Sequence, residues 1–498
     1  MSDPSGTIEH VFDNKQVHDY WEPPETPESR SLLEELAVTS RRENQAAARR
    51  LRIIGDLFEL RRAERGENAE WAVDTWAAVG AEIAAALRIS LGKAGSQMNY
   101  GLAMHRLPAV AAVFEAGDID MNTFRTLVYR TDLITDEAAM AEVDRILAAR
   151  AARWPSMTHG RLIREVDRIV ITHDRDAKRR TRERARDRDV TIWDDSAGLS
   201  DLSARLFTAD AQVLDQRLDA LAATVCPNDP RTAAQRRADA LGALAANAER
   251  LMCRCESPDC AAAVAVQSPI VIHVVAEQSS LRGDSELPGY LMGTGALIPA
   301  ELLRDIAAKA RLRPLVHPAD CPAEPRYRPS RTLADFVRAR DLTCRAPGCD
   351  RPAIVCDLDH TVPYDRGGPT HASNLKCLCR FHHLVKTFWG WKDRQLRDGT
   401  VIWELPDGQT YVTTPGSAWL LPSLMAPTGE APVAARSPES GNGTAMMPLR
   451  QRTRTQNRAH SIATERAHNR RRREHRNAKL AEMLNVPAQH DPGDDPPF

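Results

Sequence analysis

No apolar run in this 498-residue chain approaches the length of a membrane span, and the opening residues MSDPSGTIEHVFDNKQ lack a signal peptide. These absences argue against a membrane partner and lead to the expectation of a cytoplasmic protein. The chain also lacks net charge, with −1 at pH 7. The sum therefore points to no partner, and only the distribution of charge informs. No internal repeat is visible, so a chain of this length should hold two or more unlike domains. Disulfides are not expected either. The ten cysteines fall in pairs and clusters that suit metal in a reducing compartment.

The pattern predicts a mainly helical α+β protein. Residues 1–28, with Pro23, Pro24 and Pro27, read as disordered. Residues 29–315 read as a mostly helical domain of unknown function with a small β component. Leu32, Leu33, Leu36 and Ala37, then Ala47, Leu51, Ile54, Leu57 and Leu60, mark amphipathic helix. Ala-rich stretches at 79–87 and 138–151 suit close helix packing. The charge run 178–188 reads as a solvated helix face. Residues 190–193 and 202–206 predict a hairpin, and helices are expected at 208–225, 231–252 and 299–310. The β-branched run PIVIHVVA at 269–276 reads as a buried strand. Beyond a compact segment at 327–420 come a Pro/Ser/Gly-rich linker at 421–449 and a basic tail at 450–498.

The stretch CRAPGCDRPAIVCDLDHTVPYDRGGPTHASNLKCLCRFHHLVK, from Cys344 to Lys386, carries the chemistry. Zinc takes four N/S ligands in a tetrahedron, and two chelating pairs supply them. Cys344 and Cys349 flank a Pro347-Gly348 turn, and Cys379-x-x-His382 has helical or turn spacing. Those four are the preferred structural Zn²⁺ ligands, although Cys356 or Cys377 could replace one of them. A further cluster, Cys253-x-Cys255-x4-Cys260, could bind Zn²⁺ with Cys226 or Cys321, or could be a turn of unligated thiols.

Between and beyond the two pairs lie Asp359-His360, Gly367-Gly368, Asn374 and His383. Hydrolysis of a phosphodiester needs a base to deprotonate water and a cation to neutralise charge on the phosphate and leaving oxygen. Histidine suits the first role, and a carboxylate suits a hard cation such as Mg²⁺. Asp359 and His360 place a ligand and a base side by side. Neighbours on a strand point to opposite faces, so a twist or bulge at the strand end would have to aim both at a phosphate.

The combination D-H-T-V-P, G-G, N-L and L-C-x-x-H-H-x-x-K resembles the signature of HNH, or ββα-metal, endonucleases, a two-strand hairpin followed by a helix. The wider match, with Tyr327-Arg328-Pro329-Ser330 ahead of it and a long helical N-terminal part, resembles the HNH proteins of the 13E12-repeat family. The resemblance implies DNA cleavage with Mg²⁺ or Mn²⁺. It implies His360 as general base, Asp359 and His383 as ligands of the catalytic ion, and Asn374 as orienting the loop or touching the metal. Many such enzymes carry a second C-x-x-C, and here His382 stands where its last Cys would be. Cys₃His remains a sound zinc set. The resemblance lends no function to the N-terminal domain.

A β-meander is expected over 389–413, with Trp389, Trp391, Trp403 and Tyr411 packing against the small finger rather than stacking on bases. From Arg450 to Lys479, eleven Lys and Arg stand against Glu465 and Glu474. Arg470, Arg471, Arg472 and Arg473 are contiguous. This segment reads as a disordered arm that becomes helical on a nucleic-acid backbone. Arg380 and Lys386 are further candidates for phosphate contact. The rival reading is a zinc-containing DNA-binding protein whose nuclease site is vestigial.

Overall fold

The structure is a computed structural model that describes residues 26–154, 157–178, 189–194, 199–255, 257–262, 272–308, 310–319, 321–429 and 446–484. The expectations for residues 1–25, 179–188, 263–271, most of the linker and the end of the tail lie outside the described residues. The N-terminal part is helical: α1 (Pro27–Arg65), α2 (Thr75–Leu87), α3 (Leu91–Arg106), α4 (Pro108–Glu115), α5 (Met121–Thr131), α6 (Glu137–Ala151) and α7 (His159–His173). A hairpin of β1 (Asp189–Asp194) and β2 (Ser200–Arg205) follows, then α8 (Thr208–Ala222) and α9 (Ala233–Ala245). Next come β3 (Val274–Val275), α10 (Gln278–Arg282), β4 (Gly289–Leu291), β5 (Leu297–Ile298) and α11 (Ala300–Ala307). The last part holds α12 (Arg331–Asp341), β6 (Asp357–His360), β7 (Leu375–Leu378) and α13 (Arg380–Phe388). It ends with β8 (Lys392–Gln395), β9 (Val401–Glu404), β10 (Thr410–Thr413) and α14 (Arg454–Leu484). No described helix is long and apolar enough to cross a membrane.

The contacts divide the chain into two units. One takes in Met1–Ile53 and Tyr100–Lys178, the other Ile54–Asn99 and Arg179–Phe498. The stretch 29–315, expected as one domain, is thus shared between them. In the first unit α4 packs on α6, and α7 on α5 and α6. Leu107, Val110, Phe114, Phe124, Leu127, Val143 and Val166 are fully buried there, and Phe114 stacks on Phe124 at 4.7 Å. Leu107 gives α4 no side-chain cap; the Asp144 carboxylate of α6 instead accepts the Ala109 and Val110 N–H groups at 2.8 and 2.9 Å. Asp120 and Asp136 cap α5 and α6 by the ordinary route.

The core of the second unit joins distant parts of the sequence. Ala77, Ala78, Ala81 and Ala85 of α2 share it with Phe336 and Val337 of α12, Leu375 and Leu378 of β7, Val385 of α13, and Trp391 and Trp403. The small alanine face of α2 lets the bulky aromatics approach. β6 and β7 pair antiparallel in the register Asp359↔Lys376 and His360↔Leu375, and α13 packs on both. β8, β9 and β10 make the expected meander with β9 in the middle. Trp403 packs as expected, donating its indole N–H to Arg345 O at 2.9 Å, whereas Trp389, expected on the first strand, ends α13 and donates to Val73 O at 3.1 Å.

Three expected elements differ. The run expected as a buried strand over 269–276 is a strand, among its described residues, only at Val274–Val275, which is half-buried, and Ile272 is exposed. The helix predicted over 231–252 stops at Ala245, because Asn247 takes positive φ (55°) and the chain leaves the axis. The tail expected to be disordered is helical over Arg454–Leu484. Thr453 and Gln456 form a reciprocal cap, with Thr453 N bonded to Gln456 Oε1 at 3.0 Å and Gln456 N to Thr453 Oγ1 at 3.1 Å. Ala, Arg, Glu and Leu then carry the helix by propensity. The root is fixed too: Arg450 and Arg454 both pair with Asp74, at 2.9 and 2.7 Å, while Asp74 caps α2.

Candidate metal centre and the adjoining acid and histidine cluster

Cys344, Cys349, Cys379 and His382 converge, each offering a ligand atom within 4.8 Å of the others. Two local structures deliver them. The first is the turn between Cys344 and Cys349, where Gly348 has φ +71° and Cys344 N bonds to Arg351 O at 2.8 Å. A Cβ at Gly348 would lie 3.1 Å from Ile89 O and 3.3 Å from Ala84 O, so the turn closes on the end of α2. The second is the start of α13, where Cys379 is the N-cap and His382 follows three residues on, so both face one side. Arg345 N bonds to Cys377 O at 2.8 Å and ties the turn to β7.

A tetrahedron with Zn–S about 2.3 Å and Zn–N about 2.0–2.1 Å has S···N edges of about 3.5–3.6 Å. His382 Nδ1 lies 3.6 Å from Cys344 Sγ and 3.3 Å from Cys379 Sγ. The Cys379 thiol, accepting from Cys344 and Cys349, is held well below its ordinary range, while burial pushes Cys344 up and bonding to Cys344 and Cys379 pushes Cys349 up. Three sulfurs and an imidazole nitrogen this close together suit a divalent cation such as zinc. Of the alternatives, Cys377 Sγ faces Val337 O in the core, while Cys356 Sγ sits on Pro352 O at 3.3 Å and also bonds to Cys344, beside the four but outside their mutual group.

The hairpin beside this centre carries the acids and histidines. Period two puts Asp357 and Asp359 on one face of β6. His383 of α13 reaches both, with Nδ1 2.9 Å from Asp357 Oδ2 and Nε2 3.4 Å from Asp359 Oδ1. The other oxygen of Asp359 accepts from Lys376 at 2.6 Å and Lys386 at 2.7 Å. Asp393 of β8 completes the group, 2.5 Å from Lys376 and 3.1 Å from Lys386. Burial pulls the Asp359 carboxyl upward, but Lys376 and Lys386 outweigh it and hold it down at about 2.

His360, next along the strand, faces the other way. Its Nε2 lies 2.9 Å from Thr370 Oγ1, and its ring stacks on Tyr327 at 5.2 Å with the edge of Tyr364 beside it. Burial pushes its pKa down to about 4, with Lys376 and Lys386 adding to the effect against Asp359, so the ring is neutral at pH 7. Asn374 holds the intervening loop. Its Oδ1 accepts from Val362 N at 2.8 Å, and its Nδ2 donates to Val362 O at 3.1 Å and Pro369 O at 2.9 Å. Within that loop a Cβ at Gly368 would fall 1.8 Å from Val362 O, so only glycine fits.

The candidate phosphate contacts divide. Arg380 is largely exposed at the start of α13, 3.5 Å from Asp357. Lys386, expected to reach for phosphate, is instead turned inward onto Asp359, Asp393 and His360 O. Arg470, Arg471, Arg472 and Arg473 lie on α14. Sequence reasoning missed Asp357, Lys376, Asp393 and Thr370. Asp357-x-Asp359 on a strand was a usable signal, as was a lysine inside the apolar run LKCL, which a buried strand tolerates only when paired. Nothing in the sequence pointed to Asp393 or Thr370.

The family described as Domain of unknown function (DUF222) matches residues 38–341, ending just before Cys344. An uncharacterized protein of Mycobacterium tuberculosis strain H37Rv, Rv3776, is 45% identical over 470 residues, covering 88% of this chain and 90% of the relative. Rv2100 of the same strain, likewise uncharacterized, is 44% identical over 483 residues, covering 88% of each chain. No solved structure matches. The relatives share nearly the full length, and the chain belongs to the DUF222 family.

Proposed function

We propose that this chain is a metal-dependent HNH endonuclease of the 13E12-repeat type that hydrolyses DNA phosphodiester bonds. The observation that carries the reading is the path Asp357–His383–Asp359. When His383 Nδ1–H donates to Asp357, the Nε2 lone pair points at Asp359 Oδ1 across 3.4 Å. Two electron-rich atoms so placed want a cation between them. A carboxylate holding the far ring nitrogen is the usual support of a metal-ligating histidine. Asp359 and His383 would hold a Mg²⁺ or Mn²⁺ ion, whose charge stabilises the phosphate and the leaving oxygen. The lysines keep Asp359 ionised and fixed on its other oxygen. His360 is neutral and so able to accept a proton from water once a twist at the strand end turns its ring from Thr370 toward the phosphate beside Asp359. Asn374 keeps the loop between His360 and β7 in place. The Cys₃His centre, holding Zn²⁺, anchors the start of α13 and with it His383. Arg380 and the basic helix α14 would contact the DNA backbone.

The test is supercoiled plasmid with Mg²⁺ or Mn²⁺ and the full chain. Nicked or linear product is expected, with His360→Ala and Asp359→Ala lowering the rate by about 10²–10⁴ while DNA affinity stays near that of the parent. A His360→Ala variant that cleaves at the parent rate would remove His360 from the base role. One observation favours a second reading, a zinc protein that binds DNA with a vestigial nuclease site: Asp359 already has two lysine partners, and His360 Nε2 already faces Thr370. DNA binding with no turnover in either metal would select it.

A further inference from the structure

Four cysteines far from the finger come together in the second unit. Cys226 lies in the loop between α8 and α9, and Cys253, Cys255 and Cys260 lie after α9. Their sulfurs all lie within 4.8 Å of one another, with Cys226 Sγ 3.4 Å from Cys253 Sγ. The sequence left the fourth ligand open between Cys226 and Cys321, and the fold selects Cys226. We propose that Cys226, Cys253, Cys255 and Cys260 form a second, structural zinc site that closes the α8–α9 hairpin.

Three features carry this. First, the donor set is complete and soft. Four thiolates in a tetrahedron suit Zn²⁺, with S···S edges of about 3.8 Å for Zn–S near 2.3 Å, and they leave no position for substrate. Second, the sulfurs are held in place by their own support. Arg231 clamps Asp229 through two nitrogens at 3.0 and 2.7 Å and also donates to Met252 O at 2.7 Å. Asp229 in turn accepts Arg254 N at 2.9 Å, and Thr224 Oγ1 accepts Leu251 N at 2.9 Å. These bonds fix the loop that carries Cys226 against the strand of chain that carries Cys253 and Cys255. Cys253 N–H donates to Ala262 O at 2.7 Å, and Cys260 N–H to Ser257 O at 3.3 Å, which turns Cys260 back toward the others. Third, the hairpin needs a staple. Among the described residues its buried apolar cluster is Leu218, Leu221 and Ala240, with Leu214, Leu241 and Leu244 partly covered. So small an apolar cluster holds two helices poorly without a cross-link or metal.

The inference stands apart from the nuclease reading, because its readout is metal content and thiol protection. Full-length protein, purified reduced and without chelator, should contain zinc at about two equivalents per chain. Cys255→Ser with Cys260→Ser should lose one of them and keep the other. Cys344→Ser with Cys379→Ser should lose the opposite one. Because a variant can fail to fold, the parent protein supplies a second measurement. Its four cluster cysteines should resist alkylation by iodoacetamide, mapped by mass spectrometry, until a strong chelator is added, and chelation should raise their modification at least tenfold. Equal modification before and after chelation, disulfide-linked peptides among the four, or full zinc content in Cys255→Ser with Cys260→Ser would each overturn the site.

Discussion

Lys376 has no exposed surface and lies between two carboxylates, 2.6 Å from Asp359 and 2.5 Å from Asp393. A lone ammonium there would be prohibitive; paired, it sets the charge of the whole cluster. Burial works against its charge, but Asp359 and Asp393 outweigh that and raise its pKa. Replacing it by Met keeps the length and leaves two acids with only Lys386 between them. Lys376→Met should therefore destabilise the protein by about 3–5 kcal/mol, the usual cost of removing one partner from a buried group, measured by denaturant unfolding. A loss below about 1 kcal/mol would mean that Asp359 and Asp393 shed their charge instead. Asp357 answers a different question. It is half-exposed and touches His383 Nδ1, so Asp357→Asn should leave the fold intact. If its carboxylate orients a ligating histidine, plasmid cleavage should fall by about 10–100-fold, with a matching rise in the Mg²⁺ concentration needed. A fall in rate that saturating Mg²⁺ does not relieve at all would assign Asp357 to some other step.

At the scale of elements, the second unit is built around a centre rather than around a sheet. The Cys344–Cys349 turn, β7 and the start of α13 meet at the four donors, and Trp391 lies 6.0 Å from the His382 ring with Trp403 against it. Structural zinc contributes about 10–16 kcal/mol in small finger peptides. Removing metal from the full chain with a strong chelator should therefore collapse the near-ultraviolet circular dichroism of these buried tryptophans, while the helical signal of α4 to α7 persists. Retention of the tryptophan signal in metal-free protein would show that the core stands without it. The elements themselves were legible where chemistry or turn residues punctuate the chain: Pro347-Gly348, Gly367-Gly368, Asp398-Gly399 and Asp407-Gly408 bracket the finger and meander closely. The four donors were legible because chelating pairs recur at fixed spacing. The joining of α2 to that core was not, since an alanine face such as Ala77, Ala81 and Ala85 carries no mark of its partner. Nor was the Asp393 pairing, which depends on how a later strand is laid against β6 and β7.

For the molecule as a whole, charge is balanced in sum and unbalanced in place. Arg450 and Arg454 are spent on Asp74 and the backbone of Trp71 and Ala72, so the root of α14 belongs to the fold. Beyond Arg454 the helix also carries Arg458, Arg466, Arg470, Arg471, Arg472, Arg473, Arg476 and Lys479 against Glu465 and Glu474, and Arg458, Arg466, Arg470, Arg472 and Arg473 have interactions of their own. A helix lying on a duplex presents one face, so about half of those cations would meet phosphates, adding affinity without reading sequence. Each phosphate neutralised contributes roughly −0.9 to the slope of log K against log salt. Ending the chain after Arg454 keeps the contacts to Asp74 and removes all eight, so the slope should become shallower by roughly 3–4. The loss of affinity should be equal on unrelated sequences. Cleavage at saturating DNA should survive, because Asp359, His360 and His383 lie outside the deletion. The measurement is DNA affinity by fluorescence anisotropy at several salt concentrations for the full and shortened chains. An unchanged slope would leave α14 without a role on DNA and would move the electrostatic contact to Arg380 and the surface around the finger.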